Sequence, residues 1–471
     1  MKILNSKSKN FDKSLDNLLS KRKKKLKASS VSVTKIINDV KKNGDKALLK
    51  YERKFNKNNI IVPSVKQINK SIKSLDKKVK KAIDDAYNRI YKFHSLQKFK
   101  NISYKDKYKN KIDYKYLPLE SVAIYVPGST ASYPSTVLMN AIPARVAQVK
   151  RIVMINPGYK GNQNPAVLYA AKICGIKEIY SIGGPSAISA VTYGTKKIKP
   201  VNKIVGPGNE YVAAAKREVF GDVGVESMFC GPSEVTAVCD KDSNPEWIAS
   251  DLVGQAEHSD LVQCILISKD KNIIEKTKEE IFKQVKEIPR SSIAKKSLMN
   301  YGMLLQVNSD KKIIEIINKI GPEHLELNIK NYKSYIPKIK SSGSICLGKY
   351  SVMSMTDMGV PGSNHVLPTS MSSKYSSGLN VSEFMKKISL SSSSKSGAAA
   401  PSSKVLAERV RRARLDALNL CREETKFDAR KDQHVVKEEN NNDDDDAEKY
   451  IGLFREMLKN IESSAAEKSF E

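Results

Sequence analysis

The stretch EVTAVCDKDSNPEWIASDLVGQAEHSDLVQCILIS, residues 234–268, contains the unit from which the fold can be predicted. It begins with an apolar run typical of a buried strand (234–240) and ends with a second run of the same kind (262–268). Between the two runs, Asn244 and Pro245 are residues favoured at the start of a helix, and a helical pattern follows them. This order of strand, helix and strand predicts two parallel strands with a helix packed on the sheet.

The same alternation of β-type runs and helical patterns extends over most of the chain. The other predicted strands are 121–126, 151–156, 178–184, 203–205, 303–308 and 343–348, and further helical patterns cover 209–220, 271–287 and 310–320. This alternation predicts an α/β fold with two Rossmann-like lobes and largely parallel sheets. Residues 1–115 are mostly of helical type and rich in lysine. The predicted domains are this helical N-terminal segment, the lobes 116–235 and 236–389, and a tail at 390–471.

The composition is that of a large globular protein. The 471 residues are 40% apolar, enough for a core divided between at least two domains. No stretch approaches the ~20 uninterrupted apolar residues of a membrane-spanning helix, and the N-terminus lacks the apolar run of a signal peptide. Six cysteines are scattered without any CxxC pair: Cys174, Cys230, Cys239, Cys264, Cys346 and Cys421. We expect reduced, buried thiols in a cytoplasmic protein.

The net charge of +31 raises the question of a nucleic acid partner. Up to Leu390 the chain has 67 basic residues, of which 60 are Lys and only 7 are Arg. Faces that bind nucleic acids usually group Arg with aromatic residues, because guanidinium groups grip phosphates in a fork and stack on bases. The dispersed lysines favour a solvated surface, so neither a nucleic acid nor a membrane is predicted as a partner. Attraction of anionic small molecules remains open.

From Ser391 onward the composition changes abruptly. The last 81 residues have 15 basic and 17 acidic side chains, a net charge of −2, so the preceding body carries +33. A Ser/Ala/Gly/Pro-rich stretch at 391–403 is typical of a linker, and the acidic run at 438–446 is typical of disorder. Helical patterns occur at 404–422 and 450–461. The tail is therefore expected to be a separate module or foreign sequence joined to the body.

Three glycine-containing turns follow apolar runs, at 125–129, 181–186 and 203–212. Each places backbone N–H groups at a strand end, where the N-terminus of a following helix favours an anion such as a pyrophosphate. None of the turns matches GxGxxG, and each one alone is better explained as an ordinary connection between a strand and a helix. Three such turns in one lobe favour a nucleotide-binding sheet.

Histidine is scarce in this chain, and His258 is the most informative of the five. Gln255 and His258 are three residues apart on one helix face, a spacing compatible with two ligands of one metal ion. An exposed histidine at a helix end is the alternative interpretation, and this motif alone favours it. His94 and His434 lie among charged residues and are expected to face solvent.

Two further motifs place titratable side chains close together. Glu323 and His324 are adjacent near the end of a helical segment, and in an irregular turn both could face one cleft. Such a pair can move two protons near neutral pH. His365 lies in a Gly/Ser-rich loop, where polar residues more often serve function than packing, and Asp357 supplies a carboxylate nearby.

Seven segments carry a family resemblance when they are taken together and in order. They are YVPGSTASYPSTVLMNAIPARVA, GPGNEYVAAAKREV, GPSEV, QAEH, GPEHLEL, NHVLPT and YSSGL. In this order they resemble the histidinol dehydrogenase family, over residues from about 10 to Ser389. The resemblance implies oxidation of L-histidinol to L-histidine through histidinal, with zinc and two NAD+. It also implies a cytoplasmic homodimer, an NAD-binding lobe at 116–235 and a zinc site completed by 236–389.

The resemblance implies roles for individual residues. The implied zinc ligands are Gln255, His258 and Asp357, and the implied catalytic acid/base pair is Glu323 and His324. Substrate contacts are implied for Ser233, Gln255, His258, His324, Asp357 and His365. NAD contacts are implied for Tyr125, Ser186 and Asn209. In the implied mechanism, His324 removes the alcohol proton and Glu323 activates the water that hydrates the aldehyde.

The chain departs from the family pattern within the predicted site. Ser129 stands where the family usually has a second glycine, and Ser186 stands where a glutamine is common. The stretch from Asp357 to His365 is one residue longer than usual, and Met358 replaces an aromatic residue. The assignment of Asp357 as a zinc ligand is therefore less secure than that of His258.

The tail is the largest departure. The family ends in a small helical lobe that crosses to the partner subunit and supplies a glutamate and, five residues later, a histidine that ligates zinc. Here the only histidine after Ser389 is His434, and Ala429 precedes it by five residues. We expect weaker zinc retention, dimerisation and turnover as a result. Two other functions stay open: a paralogous NAD-dependent dehydrogenase of another polar primary alcohol, and a non-catalytic binding protein.

Overall fold

The computed structural model describes most of the chain. The described residues are 1–27, 30–128, 133–158, 162–226 and 231–395, with Glu408, Arg411, Arg412 and Leu415. The chain divides into two units, of which unit 1 comprises Met1–Ile102 with Asp113–Ser389 and unit 2 comprises Ser103–Ile112 with Leu390–Glu471. Among the described residues, no helix is both long enough and apolar enough to cross a membrane.

Helices and strands alternate along the described residues. The α-helices are α1 (Phe11–Lys27), α2 (Ser30–Asn56), α3 (Val65–Lys73), α4 (Lys77–Ser95), α5 (Pro134–Val146), α6 (Pro165–Ile173), α7 (Gly184–Tyr193), α8 (Glu210–Glu218), α9 (Pro245–Ala256), α10 (Lys271–Gln284), α11 (Ser291–Tyr301), α12 (Asp310–Ile320) and α13 (Met353–Asp357). The strands are β1 (Lys2–Asn5), β2 (Ile102–Lys105), β3 (Lys111–Pro118), β4 (Ser121–Tyr125), β5 (Arg151–Ile155), β6 (Glu178–Tyr180), β7 (Lys203–Val205), β8 (Gly224–Val225), β9 (Glu234–Cys239), β10 (Gln263–Ser268), β11 (Met303–Gln306), β12 (His324–Asn328), β13 (Ser344–Leu347) and β14 (Met385–Ser392). Short 3-10 helices lie at Tyr332–Ser334, Ile336–Lys338, Ser372–Lys374 and Val381–Phe384.

Two parallel sheets form the framework of unit 1. The first sheet has the strand order β6-β5-β4-β7-β8, and the second has the order β1-β11-β10-β9-β12-β13. Neighbouring strands run parallel in both sheets. If the strands of each lobe are renumbered from one, β4–β8 and β9–β13 both have the order 3-2-1-4-5 of a doubly wound sheet. The two lobes therefore repeat one topology, although the sequence shows no visible repeat.

Both faces of each sheet are buried, which explains why the predicted strands are almost continuously apolar. In β4, Val122 and Ile124 pack in one buried cluster and Ala123 packs in another, because successive side chains point to opposite faces of a sheet. Leu266 and Ile267 of β10 divide in the same way between the two clusters of the second sheet. Each lobe is thus a sheet between two layers of helices.

The N-terminal segment contributes to both lobes. As predicted, residues 1–115 are mostly helical, and α2 packs on α7 and α8 while α4 packs on α5 and α6. These contacts cover the first sheet. The strand β1 was not predicted, and it pairs with β11 at the edge of the second sheet, with Lys2 opposite Met303.

The predicted α/β fold with largely parallel sheets is confirmed, including every strand that the apolar runs indicated. The strand β12 was not predicted, although it lies in the second sheet between β9 and β13. Its sequence HLELN alternates polar and apolar residues, whereas the other buried strands are mainly apolar. Glu326 is nevertheless buried in β12, and it forms part of the support of the site described below.

The prediction that His94 faces solvent is wrong, because its side chain is fully buried. Its Nδ1 lies 2.8 Å from the carbonyl oxygen of Ile90, and its Nε2 lies 3.3 Å from Nδ2 of Asn364. With Nδ1 donating and Nε2 accepting, both ring nitrogens have partners, which removes most of the cost of burying a polar ring.

Several predictions can be compared with only part of the chain. Cys174, Cys239, Cys264 and Cys346 are buried and form no disulfide, as expected. Cys230, Cys421 and His434 lie outside the described residues. The linker at 391–403, the helical patterns at 404–422 and 450–461, and the acidic run at 438–446 also lie outside them, apart from 391–395 and four single residues.

Candidate active site

A cavity of about 1170 Å³ in unit 1 brings together most of the predicted site residues. Nine of the ten line it, namely Tyr125, Asn209, Ser233, Gln255, His258, Glu323, His324, Asp357 and His365. Ser186 is the one that does not. Because these residues come from seven separate places in the sequence, their convergence in one cavity supports the prediction that they form a site.

Strand ends of both sheets of unit 1 reach the cavity. In the first sheet, Tyr125 ends β4 and Asn209 follows β7, so the carboxyl ends of two neighbouring strands reach the cavity. In the second sheet, Ser233 precedes β9 and Glu323 precedes β12, so the amino ends of two neighbouring strands reach it. The strand order reverses between β4 and β7, and such a reversal opens a crevice at the carboxyl ends of a doubly wound sheet.

The C-terminal end of α9 carries Gln255 and His258. Nδ1 of His258 lies 3.0 Å from the carbonyl oxygen of Gly254, so Nδ1 donates and Nε2 remains available as an acceptor or metal ligand. Oε1 of Gln255 is buried and accepts no hydrogen bond from the part of the chain that the structure describes. An unpaired buried amide oxygen costs about 1–3 kcal/mol, which a bound cation would offset.

Asp357 reaches the cavity from the end of the short helix α13. Burial raises its pKa to about 7, because a carboxylate loses hydration there. Glu326 anchors the start of the same helix, since its Oε1 accepts a hydrogen bond of 2.7 Å from the N–H of Met353. A cation beside Asp357 would favour the charged carboxylate and so reverse the effect of burial on its pKa.

The predicted metal ligands supply an unusual set of donors. Within the described ranges, no group of three His, Cys, Asp or Glu side chains is placed to hold a metal ion. The set Gln255, His258 and Asp357 has instead one amide oxygen, one imidazole nitrogen and one carboxylate. These are oxygen and nitrogen donors of the kinds that zinc accepts in catalytic sites, although an amide is uncommon. The unpaired oxygen of Gln255 and the available Nε2 of His258 therefore fit a zinc ion.

Glu323 and His324 lie at the start of β12, and both are buried. Burial and the negative charge of Glu234 raise the pKa of Glu323 well above its usual range, although the N–H of Glu234 donates a 2.8 Å hydrogen bond to its Oε2. Burial, with smaller effects of His365 and His258, lowers the pKa of His324 to about 3. His324 is therefore neutral near pH 7 and able to accept a proton.

His365 faces the same cavity from a loop that other side chains hold in place. Burial lowers the pKa of His365 to about 4, and its Nε2 has no hydrogen-bond partner in the described part of the chain. The neighbouring Asn364 donates from Nδ2 to the carbonyl oxygen of Met139 at 2.7 Å and accepts from the N–H of Val366 at 2.9 Å. His365 is thus a neutral imidazole on an anchored loop.

The glycine turns after β4 and β7 form the other side of the cavity. A Cβ atom on Gly128 would lie 2.5 Å from Nδ2 of Asn156, and one on Gly208 would lie 2.4 Å from Cγ1 of Val212. Neither turn can accept a side chain without rearrangement. Asn209 accepts from the N–H of Val212 and caps the N-terminus of α8, an end that favours anions. This side fits a phosphate-bearing cofactor such as NAD.

The middle glycine turn, which contains Ser186, does not line the cavity. The hydroxyl of Ser186 donates to the carbonyl oxygen of Gly183 at 3.0 Å. The N–H of Gly183 donates to Oε1 of Glu52 at 2.8 Å, and the N–H of Gly184 donates to the hydroxyl of Tyr125 at 3.0 Å. A carboxyl group of the protein thus takes the position where an anion was expected. The contact of Ser186 with NAD stays a prediction.

Some residues at or beside the cavity were not singled out from the sequence. The ring of Tyr133 stacks on that of His258, with 6.3 Å between the ring centroids. Arg22 and Glu234 do not line the cavity, but they form an ion pair next to Ser233, which does. Glu234 is within the motif GPSEV, and Arg22 is one of only 7 arginines before the tail. That scarcity was the one signal for Arg22, and it is weak.

Known proteins resemble this chain over most of its length. A family model described as histidinol dehydrogenase matches residues 19–419. The chain belongs to the histidinol dehydrogenase family. The match to the histidinol dehydrogenase model continues past Ser389, where the resemblance found in the sequence ends. The family consists of NAD-dependent oxidoreductases, so the chain is a member of an enzyme family.

Individual histidinol dehydrogenases match over most of their length. The protein of Pelagibacter ubique (strain HTCC1062) is 73% identical over 397 residues, which are 84% of this chain and 92% of the relative. That of Nitrosomonas europaea is 40% identical over 402 residues, again 84% and 92% of the two chains. The crystal structure of the Elizabethkingia anophelis enzyme has a TM-score of 0.78 and 35% identity, covering 89% of this chain and 99% of that one.

Proposed function

We propose that the protein oxidises L-histidinol to L-histidine through histidinal, with zinc at the site and two NAD+ reduced. This reaction would be the last step of histidine biosynthesis. The observation that carries the proposal is the convergence of Gln255, His258 and Asp357 with Glu323 and His324 in one cavity. The first three residues can hold an electrophilic metal ion, and the last two can transfer protons at the same place.

In this proposal, zinc is held by Oε1 of Gln255, Nε2 of His258 and the carboxylate of Asp357. Zinc is a redox-inert Lewis acid that, when bound, polarises the alcohol oxygen of the substrate. Three protein ligands leave one position for the substrate, as in other catalytic zinc sites.

In the first oxidation, His324 accepts the proton of the alcohol. Burial keeps its imidazole neutral near pH 7, so a ring nitrogen without a proton is available for this step. As the O–H bond breaks, a C–H bond of the carbon that bears the alcohol oxygen also breaks, and the C=O bond of the aldehyde forms. NAD+, when bound, takes the hydrogen of that bond with its electron pair as a hydride.

In the second oxidation, Glu323 accepts a proton from water while the water oxygen bonds to the aldehyde carbon. The resulting hydrate anion loses a hydride, which the second NAD+ would accept, and its remaining hydroxyl proton, which gives the carboxylate of the product. Glu323 can act in this way only when it is ionised. Because its pKa is raised, mainly by burial, the second oxidation should be favoured by alkaline pH.

We assign the remaining predicted residues to binding. Ser233 and His365 would contact the substrate together with Gln255, His258, His324 and Asp357. Tyr125 and Asn209 would contact NAD at the glycine turns of the first sheet, and Ser186 is included by resemblance alone. We also propose, from the same resemblance, that the protein is a cytoplasmic homodimer.

The test measures zinc, NADH and product in one preparation. Zinc-loaded protein supplied with L-histidinol and NAD+ should form two NADH for each L-histidine, and chelation followed by zinc addition should remove and restore this activity. Carboxylated and sulfonated primary alcohols serve as comparison substrates, because the body carries +33. Faster turnover of one of these alcohols would favour a paralogous dehydrogenase. Zinc-loaded protein that forms NADH from none of them would contradict the proposal and favour a binding protein.

A further inference from the structure

One arginine of helix α1 contacts the segment 232–234 next to the cavity. The side chain of Arg22 is only 4% exposed. Its Nε donates to the carbonyl oxygen of Leu261 at 2.8 Å, and its Nη2 donates to the carbonyl oxygen of Ser233 at 3.2 Å and to that of Pro232. The remaining nitrogen, Nη1, forms an ion pair with Glu234. One guanidinium group therefore holds three consecutive residues, 232–234.

The residues that Arg22 holds are next to the chemistry. The side chain of Ser233 lines the cavity, and its carbonyl oxygen also accepts from the N–H of Gln263 at 3.1 Å. The N–H of Glu234 donates to Oε2 of Glu323 at 2.8 Å. A movement of this segment would therefore displace Ser233 and remove a hydrogen bond from the Glu323 carboxylate.

The carboxylate of Glu234 is a buried charge close to Glu323. Its side chain is 4% exposed, and Oε1 accepts from the N–H of Ser370 at 2.9 Å in addition to Arg22. In a buried environment such a charge is poorly screened, so it acts on neighbouring ionisable groups. The negative charge of Glu234 disfavours ionisation of Glu323, and the positive charge of Arg22 favours it.

Other charged or titratable groups also face Glu323. Asp357 on α13 adds a further negative charge, and it acts in the same direction as Glu234. The imidazoles of His324, His258 and His365 line the same cavity. These side chains are retained in every variant, so differences between the variants report the substitutions of Arg22 and Glu234.

We propose that Arg22 and Glu234 are positioning residues for the oxidation, which hold Ser233 and Glu323 in place and set the charge around the Glu323 carboxyl group. This inference rests on the proposed role of Glu323 as the base of the second oxidation. Neither residue lines the cavity. Arg22 acts through the 232–234 segment, and Glu234 acts through its N–H and its charge.

The experiment compares three variants by the pH profile of histidinal oxidation. Glu234→Gln removes a negative charge, so the acid limb of kcat/KM should move to lower pH by about one unit. Adding Arg22→Met in that background removes the positive charge and should move the limb back towards higher pH. Arg22→Lys keeps the charge but loses the planar fork, so it should lower kcat at least ~10-fold. Any shift of its limb should be towards higher pH, because a displaced segment weakens the hydrogen bond from the N–H of Glu234 to Glu323.

Arg151 provides a matched control in the first sheet. It also pairs with a glutamate, Glu178, through two contacts of 2.8 Å, and it also donates to backbone carbonyl oxygens, those of Lys199 and Pro200. Arg151→Met should therefore cost stability in the same general way, and it should leave the pH profile of the reaction unchanged.

A purely structural role would lower activity and stability without opposed shifts of the limb. The inference is overturned if Glu234→Gln leaves the limb where Arg151→Met leaves it, or if Arg22→Met moves the limb in the same direction as Glu234→Gln. If the double variant does not fold, the single variants Glu234→Gln and Arg22→Lys still decide the outcome, because only Glu234→Gln is expected to move the limb to lower pH.

Failure of the proposed function is recognised separately. If the unaltered protein oxidises neither L-histidinol nor histidinal, the ionisation of Glu323 can be followed directly by infrared difference spectroscopy, with the band assigned by its loss in Glu323→Gln. The midpoint should again fall in Glu234→Gln and rise when Arg22→Met is added. Unmoved midpoints would overturn the inference even though no turnover is observed.

Discussion

Nε2 of His324 lies 3.8 Å from Oδ1 of Asp357, and burial drives the two side chains towards neutral forms. It lowers the pKa of His324 to about 3 and raises that of Asp357 to about 7. The two groups are therefore not a charged pair near pH 7, despite their separation. A divalent cation at Asp357 would favour the carboxylate without adding a proton to His324. The site can thus keep an imidazole base beside a carboxylate metal ligand.

The first prediction concerns the metal. His258→Ala should lower zinc affinity more than ~100-fold and abolish turnover, because it removes a direct ligand, and even the outer partners of metal ligands are worth 10–100-fold. Elemental analysis and competition with a chelator measure the zinc, and circular dichroism checks the fold. Glu257→Ala is the matched control, since Glu257 also lines the cavity but is not a predicted ligand. Stoichiometric zinc in His258→Ala would contradict the assignment.

The second prediction separates the two proton-transfer roles. His324→Ala should lower histidinol turnover by ~10²–10⁴-fold, the usual contribution of a general base, with little change in zinc content. Glu323→Gln should impair histidinal oxidation more than histidinol oxidation.

The pH profile provides a further check on Glu323. Its pKa is raised above the usual range, so histidinal oxidation by the unaltered protein should increase with pH as Glu323 loses its proton. Glu323→Gln should remove this acid limb. An unchanged rate of histidinal oxidation in Glu323→Gln would refute its role as the base.

The strands that hold the site could be predicted because nearly all of their side chains are apolar and buried on both faces. The strand β12 could not, since His324 and Glu326 alternate with leucines and resemble the polar face of an exposed strand or turn. In the structure both polar side chains are buried at the site and its support. The polar side chains that serve the site therefore interrupt the apolar pattern by which a buried strand is recognised.

The roles of Gln255 and Asp357 also could not be derived from composition or spacing. A glutamine is seldom a metal ligand, and it becomes a credible one only through the family resemblance and the unpaired, buried oxygen seen in the structure. Arg22 is more than 200 residues from the segment that it holds, so no local pattern connects the two. Contacts between distant parts of a chain depend on tertiary packing, which single-sequence patterns do not report.

The third prediction concerns Glu52, which is fully buried and whose pKa is raised, mainly by burial, to about 7. In the unfolded chain its pKa is near the ordinary value of 4.5 for a glutamate. The folded protein thus binds the proton more tightly, and stability falls as pH rises from about 4.5 to 7, by about 3 kcal/mol in total. Glu52→Gln cannot ionise and should escape this loss.

Urea unfolding at pH 5 and pH 8 measures the difference. Glu52→Gln should gain about 2.5 kcal/mol relative to the unaltered protein between the two values, because only the unaltered protein must then bury a charged carboxylate. Glu120→Gln is the control, since Glu120 is exposed. Equal pH dependence in the unaltered protein and in Glu52→Gln would show that Glu52 does not titrate as predicted.

The fourth prediction concerns residues 390–471, which contain no glutamate and histidine at the five-residue spacing of the family's terminal lobe. Zinc can still be held by Gln255, His258 and Asp357, but the carboxylate expected to meet the cationic amine of the substrate is missing. A charge-assisted contact of this kind is worth about 1.5–3 kcal/mol, or roughly 10- to 150-fold in affinity. We expect weak zinc retention, weak dimerisation and slow turnover of histidinol.

The test replaces residues 390–471 with a terminal lobe that carries the glutamate–histidine pair. Zinc affinity, the dimer fraction measured by sedimentation, and histidinol turnover are then compared with those of the unaltered chain. The replacement should raise all three. A chain ending at Ser389 shows whether the present tail contributes to activity. The acidic run at 438–446 could supply carboxylates to the site, but docking it would cost the conformational entropy of ordering a long segment. Full activity of the unaltered chain, lost on truncation, would mean that this tail replaces the lobe by other residues.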